Sequence, residues 1–438
     1  MALGGGNWTS DNKILPGTYV NFTNPSLATS ALSTRGVVAV PLVLNWGAEG
    51  EMIELESQTI DGNSQKLLGY SYYDDEMLAV RELFKNATTV YAYRLGSEAV
   101  KATSIYGTAK YAGTRGNSLK ILIKESIDRE DYYSVKTYLD TSLVDSQEVT
   151  ACSELEDNDY IVFVKTATIA ETSGVLLSGG TDGEDITGTD YANFLTEAEK
   201  YSFDILCCPT DDSDTIEYFV AYTQRMNEET GANFQLVCYR PDESDDENVI
   251  ALENKNLSDD LGVYGLVYWL SGAQAGCSVG QSLTGKEYDG ELSVDVGYSQ
   301  SELKDGLGLG EFLFHSVNGR TRVLRDINSF VSFDSTKSSD FSSNQTVRVC
   351  FSVANSIATL FNESYLGLVA NDQSGRIALW NDICKLLEEL QNSRAITDFS
   401  TQNVVISQGD EKTNVICTIK ELVVAGTMEA LYMNVVIM

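Results

Sequence analysis

The chain has 438 residues, 43% of them hydrophobic, and a formal net charge of −34. That is apolar material enough for sizeable cores and a prior of about three domains, whereas the acidity argues against nucleic acid as a partner, because phosphate binding wants a basic face. No stretch approaches the ~18 uninterrupted apolar residues of a membrane span, the opening "MALGGGNWTSDN" has neither the basic start nor the apolar run of a secretory signal, and the expected address is the cytoplasm, without direct membrane insertion.

In chain order, "ILPGTYVNF" reads as a short extended segment, with Pro16 and Gly17 as punctuation and Tyr19, Val20 and Phe22 as its strand-forming residues. "DDEMLAVRELFKNA" sets Met77, Val80, Leu83 and Phe84 at helical spacing, and "TTVYAYRLG" follows as a strand. From about Ala99 to Thr166 the texture turns to strand-like pieces, "LKILIKES", "YYSVKTYL" and "YIVFVKTA", which predict a β-rich insertion. Helix and strand then alternate again. Tyr191, Phe194, Leu195 and Ala198 share one helix face, "FDILCCP" is a strand, Ile216, Phe219, Val220 and Thr223 share the next helix face with Gly231 at its C-cap, and "NFQLVCYR" is a strand. In "EFLFHSVNGRTRVLRDI" the Asn318-Gly319 pair between apolar runs is a two-residue hairpin signal. Helices are predicted around Val347 to Phe361 and Ile377 to Leu390, followed by antiparallel strands with turns near "QGDE" and "AGT".

The last stretch, "LYMNVVIM", is apolar on both faces of a strand: Leu431, Met433, Val435 and Ile437 alternate with Tyr432, Asn434, Val436 and Met438. An uncovered strand of this kind recruits other chains, so it is expected to pair either with its own sheet or with a neighbour's. Charge is uneven. Residues 1–166 hold 14 basic and 22 acidic side chains (net −8), 167–319 hold 6 and 29 (net −23), and 320–438 hold 10 and 13 (net −3). The middle third is expected to face outward, and the near-neutral last third tolerates packing against copies of itself.

Candidates for chemistry are sparse. His315, the single histidine, sits inside the strand "LFHSV" and is expected to be a packing or interface residue. With one histidine, multi-histidine metal sites are excluded and any catalytic triad would have to use it. "GLGLG" (Gly306, Gly308, Gly310) and "LSGGTDG" (Gly179, Gly180, Gly183) lack both dinucleotide spacing and the GK[ST] of a nucleotide loop. "PDESDDENV" lacks the glycine and trailing glutamate of a calcium loop and reads as a solvated loop. The eight cysteines, at 152, 207, 208, 238, 277, 350, 384 and 417, form no CxxC pair and read as buried reduced thiols. No catalytic, metal-binding or cofactor-binding residue is expected.

The ordered set "LPGTYVNF", "AKYAGTRGNSLKILI", "LSGGTDG", "NGRTRVLRDINSFVSF" and "LYMNVVIM", spanning essentially the whole chain, resembles the tail sheath proteins of contractile bacteriophages, particularly those of Gram-positive phages, defective prophages and phage-tail-like bacteriocins. The resemblance implies a multidomain α+β or α/β protein: an inner α/β domain with extended N- and C-terminal β arms, plus a β-rich inserted domain. The expected division is an N-terminal arm at 1–22, an α/β segment at 23–98, the β-rich insertion at 99–166, an acidic α/β domain at 167–319, the inner sheath domain at 320–425 and the C-terminal arm strand at 426–438. It further implies hexameric rings stacked helically around a tail tube, bounded by baseplate and tail terminator proteins, assembled in the bacterial cytoplasm and carried in a virion tail or bacteriocin particle, with no cofactor. Interface residues are then Tyr19, Val20 and Phe22 in the N-terminal arm and Leu431, Tyr432, Met433, Val435, Val436 and Ile437 in the C-terminal arm. Arg320, Arg322 and Arg325 are expected toward subunit contacts or the tube, and Arg320 and Arg322, on one strand face, want acidic partners. The alternatives are the sheath of a non-phage contractile injection system or bacteriocin and, from another class, a cytosolic acidic α/β enzyme.

Overall fold

The computed structural model of the protein describes residues 35–242 and 244–437, which fall into two compact units. Tyr19, Val20 and Phe22 lie outside the described residues.

The unit formed by Val40–Leu78 and Val90–Ala198 is rich in antiparallel strands. Four of them lie in the order Ser142–Val149, Tyr133–Leu139, Leu119–Glu125, Val175–Leu176, and Gly107–Ala109 pairs separately with Ile161–Phe163. Alternation decides the burial: Leu119, Ile121 and Ile123 are fully buried while Lys120 and Lys124 point away from the core. Val135, Leu139, Phe163 and Trp46 complete that core. The Trp46 ring meets Tyr111 edge-on at 5.4 Å, and its indole N–H donates to the Lys66 carbonyl at 3.1 Å.

Two glycine-bearing motifs of the sequence meet in this unit. Gly113 has φ +126°, and a Cβ there would stand 2.0 Å from the Asn45 carbonyl oxygen. Asn117 Nδ2 donates to the Gly180 carbonyl and Gly180 N–H donates to Asn117 Oδ1, both at 2.9 Å. Thr114 donates its N–H to Asp182 Oδ1 at 2.7 Å and its hydroxyl to Asp182 Oδ2 at 2.7 Å. Arg115 stacks on Tyr70, donates to the Gly69 carbonyl and pairs with Asp140 at 2.8 Å. "AGTRGN" and "LSGGTDG" are thus the two halves of one backbone joint. Behind it the buried Arg94 donates to the carbonyls of Leu44, Gly47 and Ala112.

The other unit, Ala79–Thr89 and Glu199–Met438 with the residues through Ala39, is built on parallel strands. Val38 faces Ile205, Ile205 faces Gln235, Leu236 faces Val249, and Leu252 faces Phe312. These strands are buried on both faces and so read as unbroken apolar runs. Helix Ser213–Arg225 begins at Asp212, whose carboxylate accepts from Thr215 N–H at 2.9 Å, and passes through a π-turn, Met226–Thr230, before Gly231 ends it at φ 70°. Helix Leu266–Gly276 is buried from Leu266 through Ala275, and its Gly272 lies so close to Leu83 that a Cβ would stand 2.2 Å from the Leu83 carbonyl oxygen. "GLGLG" closes helix Gln300–Gly308, which a Ser299/Glu302 capping box opens.

Helices Asn344–Ser364 and Gln373–Asn392 pack a second core through Val349, Val353, Ile383, Leu387 and Leu390. Against it lie the hairpin Val404–Gln408/Val415–Ile419 and the short pair Ile396–Thr397/Val423–Val424.

Candidate assembly surface

Hairpin Phe314–Val317/Arg320–Val323 turns at Asn318 and Gly319, both left-handed at φ 52° and 75°, as its sequence demands. His315 faces Arg322 across it, and burial, seconded by the Arg322 charge, holds its imidazole below the ordinary histidine range. The acidic partner of this arginine face comes from the same chain. Glu287 Oε2 accepts from Arg320 and from Arg322 at 3.0 Å each, and Arg322 also donates to the Gly285 carbonyl at 2.8 Å. Arg320 remains the more exposed of the two. Exposed ion pairs of this type contribute about 0.2–1 kcal/mol, so Glu287 steers the hairpin without locking it. Arg325 sits apart and donates from Nε to Glu429 Oε2 at 2.8 Å.

Glu429 belongs to the root of the C-terminal segment. Val423–Val424 is held by Ile396–Thr397, Ala425 N–H donates to the Ala395 carbonyl at 3.0 Å, and Gln345 brackets the next residues: its Nε2 donates to the Ala425 carbonyl at 2.9 Å and its Oε1 accepts from Thr427 N–H at 3.3 Å. Thr284 donates its hydroxyl to Glu429 Oε1 at 3.1 Å. The root also walls a cleft of about 970 Å³ lined by Phe330, Phe333, Phe341 and Leu422.

Beyond Glu429 the chain leaves its own body. Residues 430–437 have no regular secondary structure, and Leu431 is 87% exposed, Tyr432 95%, Val436 80% and Ile437 92%. Among the described residues both faces of the expected strand are therefore uncovered, and no sheet takes it up. The hairpin Val404–Gln408/Val415–Ile419 is a two-stranded sheet, with no third strand paired to it among the described residues.

Six of the eight thiols are buried, all eight are unpaired, and burial pushes Cys207 up to about 12 and Cys350 and Cys417 up to about 11, well away from nucleophilic use. Among the described residues no His, Cys, Asp and Glu group is placed to hold a metal, and no helix is long and apolar enough to cross a membrane. The acidic run is less free than expected: Asp245 Oδ1 accepts from Val331 and Ser332 N–H, and Glu247 pairs with Lys337. Glu287, Glu429, Thr284 and Gln345, which shape the surface, carry no signal in the sequence, because isolated polar residues gain meaning only from contacts many residues away.

Four family models match consecutive parts of the chain. They describe the domain III N-terminal region of tail sheath protein Gp18 (residues 35–95), the phage tail sheath beta-sandwich domain (94–182), the phage tail sheath central domain (184–329) and the phage tail sheath C-terminal domain (336–438). Phage-like element PBSX protein XkdK of Bacillus subtilis is 31% identical, over 94% of this chain and 95% of that protein. The crystal structure of the sheath tail protein of Listeria innocua has a TM-score of 0.80 at 30% identity, covering 91% of this chain and 93% of that one. The contracted helical sheath of the anti-feeding prophage shares the fold alone, with a TM-score of 0.53 at 12% identity over 97% of this chain and 99% of that one. By full-length identity, consecutive domain matches and fold, the chain belongs to the phage tail sheath proteins.

Proposed function

We propose that the chain is the structural subunit of a contractile sheath, polymerising as stacked hexameric rings around a tail tube and shortening to drive the tube through a target envelope. The observation that carries the reading is the C-terminal segment Leu431–Ile437, apolar on both faces, rooted at Ala425–Glu429 and uncovered by the described residues of its own chain. In the assembly it adds as a strand to the inner domain (320–425) of a neighbour, at an open edge of the hairpin Val404–Gln408/Val415–Ile419. Each apolar side chain fully covered there contributes about 1.5–3 kcal/mol, and the main chain fixes the register. The segment bearing Tyr19, Val20 and Phe22 is the corresponding arm from the other end of the chain. Baseplate and tail terminator proteins bound the stack, and subunit contacts supply the work of contraction. Assembly takes place in the bacterial cytoplasm, and the same subunit suits an infectious tail, a phage-like element or a bacteriocin.

The test is deletion of residues 431–438. The expected product melts like the unpolymerised full-length subunit in circular dichroism, yet gives no tubes by electron microscopy and no pellet on sedimentation. A truncated chain that still builds tubes, or one that unfolds, overturns the proposal.

A further inference from the structure

The start of strand Val37–Val43 and the point where the C-terminal segment departs are tied to one buried polar cluster. At the first point, Arg35 pairs with Asp204 at 3.1 Å, and the N–H groups of Gly36 and Val37 donate to Asp204 Oδ2 at 2.8 and 3.1 Å. Arg35 also reaches the carbonyl of Gln274 at 3.4 Å. The Gln274 side chain, fully buried, donates to Asp326 Oδ1 at 2.7 Å and accepts from Arg348 at 2.7 Å. Asp326 and Arg348, both buried, stand 3.4 Å apart, and Asn344 donates to Asp326 at 2.9 Å.

From that centre two routes run to the C-terminal root. Asp326 N–H donates to Thr284 Oγ1 at 3.0 Å, and the same hydroxyl donates to Glu429. Asn344 and Arg348 share a helix with Gln345, the residue that brackets Ala425 and Thr427.

A buried ion pair is poor evidence of stability, because desolvation offsets much of its attraction; its better-attested use is to fix one arrangement of the parts it joins. The parts joined here are helix Leu266–Gly276, helix Asn344–Ser364, the loop after the arginine hairpin, the start of strand Val37–Val43 and the C-terminal root. We infer that the Asp326–Gln274–Arg348 cluster is a coupler that holds the start of strand Val37–Val43 and the Ala425–Glu429 root in one fixed geometry. This rests on the reading of the terminal segments as arms: a pull on one arm then reaches the other through the cluster, and rings linked by arms move together.

Coupling of this kind is a free energy and is reciprocal, so each end must report a change made at the other. The experiment is hydrogen exchange by mass spectrometry on the unpolymerised full-length subunit and two variants, Asp204→Asn at one end and Gln345→Met at the other. D204N is expected to speed exchange roughly tenfold at Ala425–Thr427, and Q345M to speed it by a similar factor at Gly36 and Val37. The Val404–Gln408 hairpin strand serves as the internal reference and is expected to stay unchanged. Gln274→Leu, at the centre, is expected to speed exchange at both ends. If that variant fails to fold, the two end variants decide alone. Acceleration confined to the substituted end, or an equal acceleration in the reference strand, overturns the inference. Since no polymer is involved, the result stands apart from the deletion test: a truncated chain that still builds tubes removes the arm reading and leaves the coupling as measured.

Discussion

At Gly113 a single missing atom decides the backbone. Its φ of +126° is unfavourable for any side chain, and the space a Cβ needs is taken by the Asn45 carbonyl. Gly113→Ala is expected to destabilise by roughly 3 kcal/mol or more, because strain and overlap combine. Gly50→Ala is the control: φ is +72° there, but nothing lies within 4 Å, so only backbone strain of about 1–2 kcal/mol applies. Thermal melting of both variants checks the contrast, and equal losses would remove the close approach as the cause. Glu82 offers a residue-scale test of the other unit. It is fully buried, accepts from the Tyr288 hydroxyl at 2.8 Å and the Glu291 N–H, and burial raises its carboxyl above the ordinary glutamate range. A raised acid contributes stability that is complete below its unfolded value and is lost as pH rises through its folded value. Glu82→Gln mimics the protonated form, so its stability relative to the parent should grow from pH 5 to pH 8. Urea denaturation of both proteins at the two pH values measures this, and a difference that stays constant would show that folded Glu82 is already ionised at pH 5 and its carboxyl is not raised.

Elements were legible where one face differed from the other. The strands Leu119–Glu125 and Tyr133–Leu139, helices Gly188–Ala198 and Ser213–Arg225, and the Asn318-Gly319 hairpin all announce themselves by period or turn chemistry. Helix Leu266–Gly276 did not, because a helix apolar all round has no 3.6-residue stripe to detect, and Pro41 disguises the strand Val37–Val43. Of the candidate surface, the two-faced apolar tail was visible in the sequence, whereas Glu287 as the shared partner of Arg320 and Arg322 was not, since it lies more than thirty residues away. The tail also permits a test of how it docks. In an added strand successive N–H groups point to opposite sides, so of Asn434→Pro and Val435→Pro one must remove a ladder bond if the main chain pairs. One of the two is expected to abolish pelleting, while Val435→Ala only weakens it. Melting of the unpolymerised subunit should not change, because residue 435 is exposed. Three variants that assemble equally well would mean that the segment docks through side chains alone.

For the whole molecule the decisive quantity is a net charge of −34 on every copy, of which residues 167–319 carry −23 and residues 320–438 only −3. Copies approaching through the last third still feel the field of the rest, and this repulsion opposes polymerisation at low salt. Two kinds of contact respond oppositely to screening. If apolar strand addition supplies the affinity, salt removes the repulsion and leaves the attraction intact; if Arg320 and its neighbours bind acidic patches on other copies, salt weakens the attraction itself. The Debye length falls from about 30 Å at 0.01 M to about 10 Å at 0.1 M, so added salt shortens the reach of this repulsion about threefold. The pairing of Arg320 and Arg322 with Glu287, and of Arg325 with Glu429, within the chain leaves little unspent positive charge for a neighbour. The critical concentration for pelleting is therefore expected to fall several-fold between 0.01 and 0.3 M NaCl at pH 7.5, and to do so equally in Arg320→Gln. A rise with salt, or a fall that disappears in Arg320→Gln, would place the affinity in charge pairs between subunits instead of in the apolar arm.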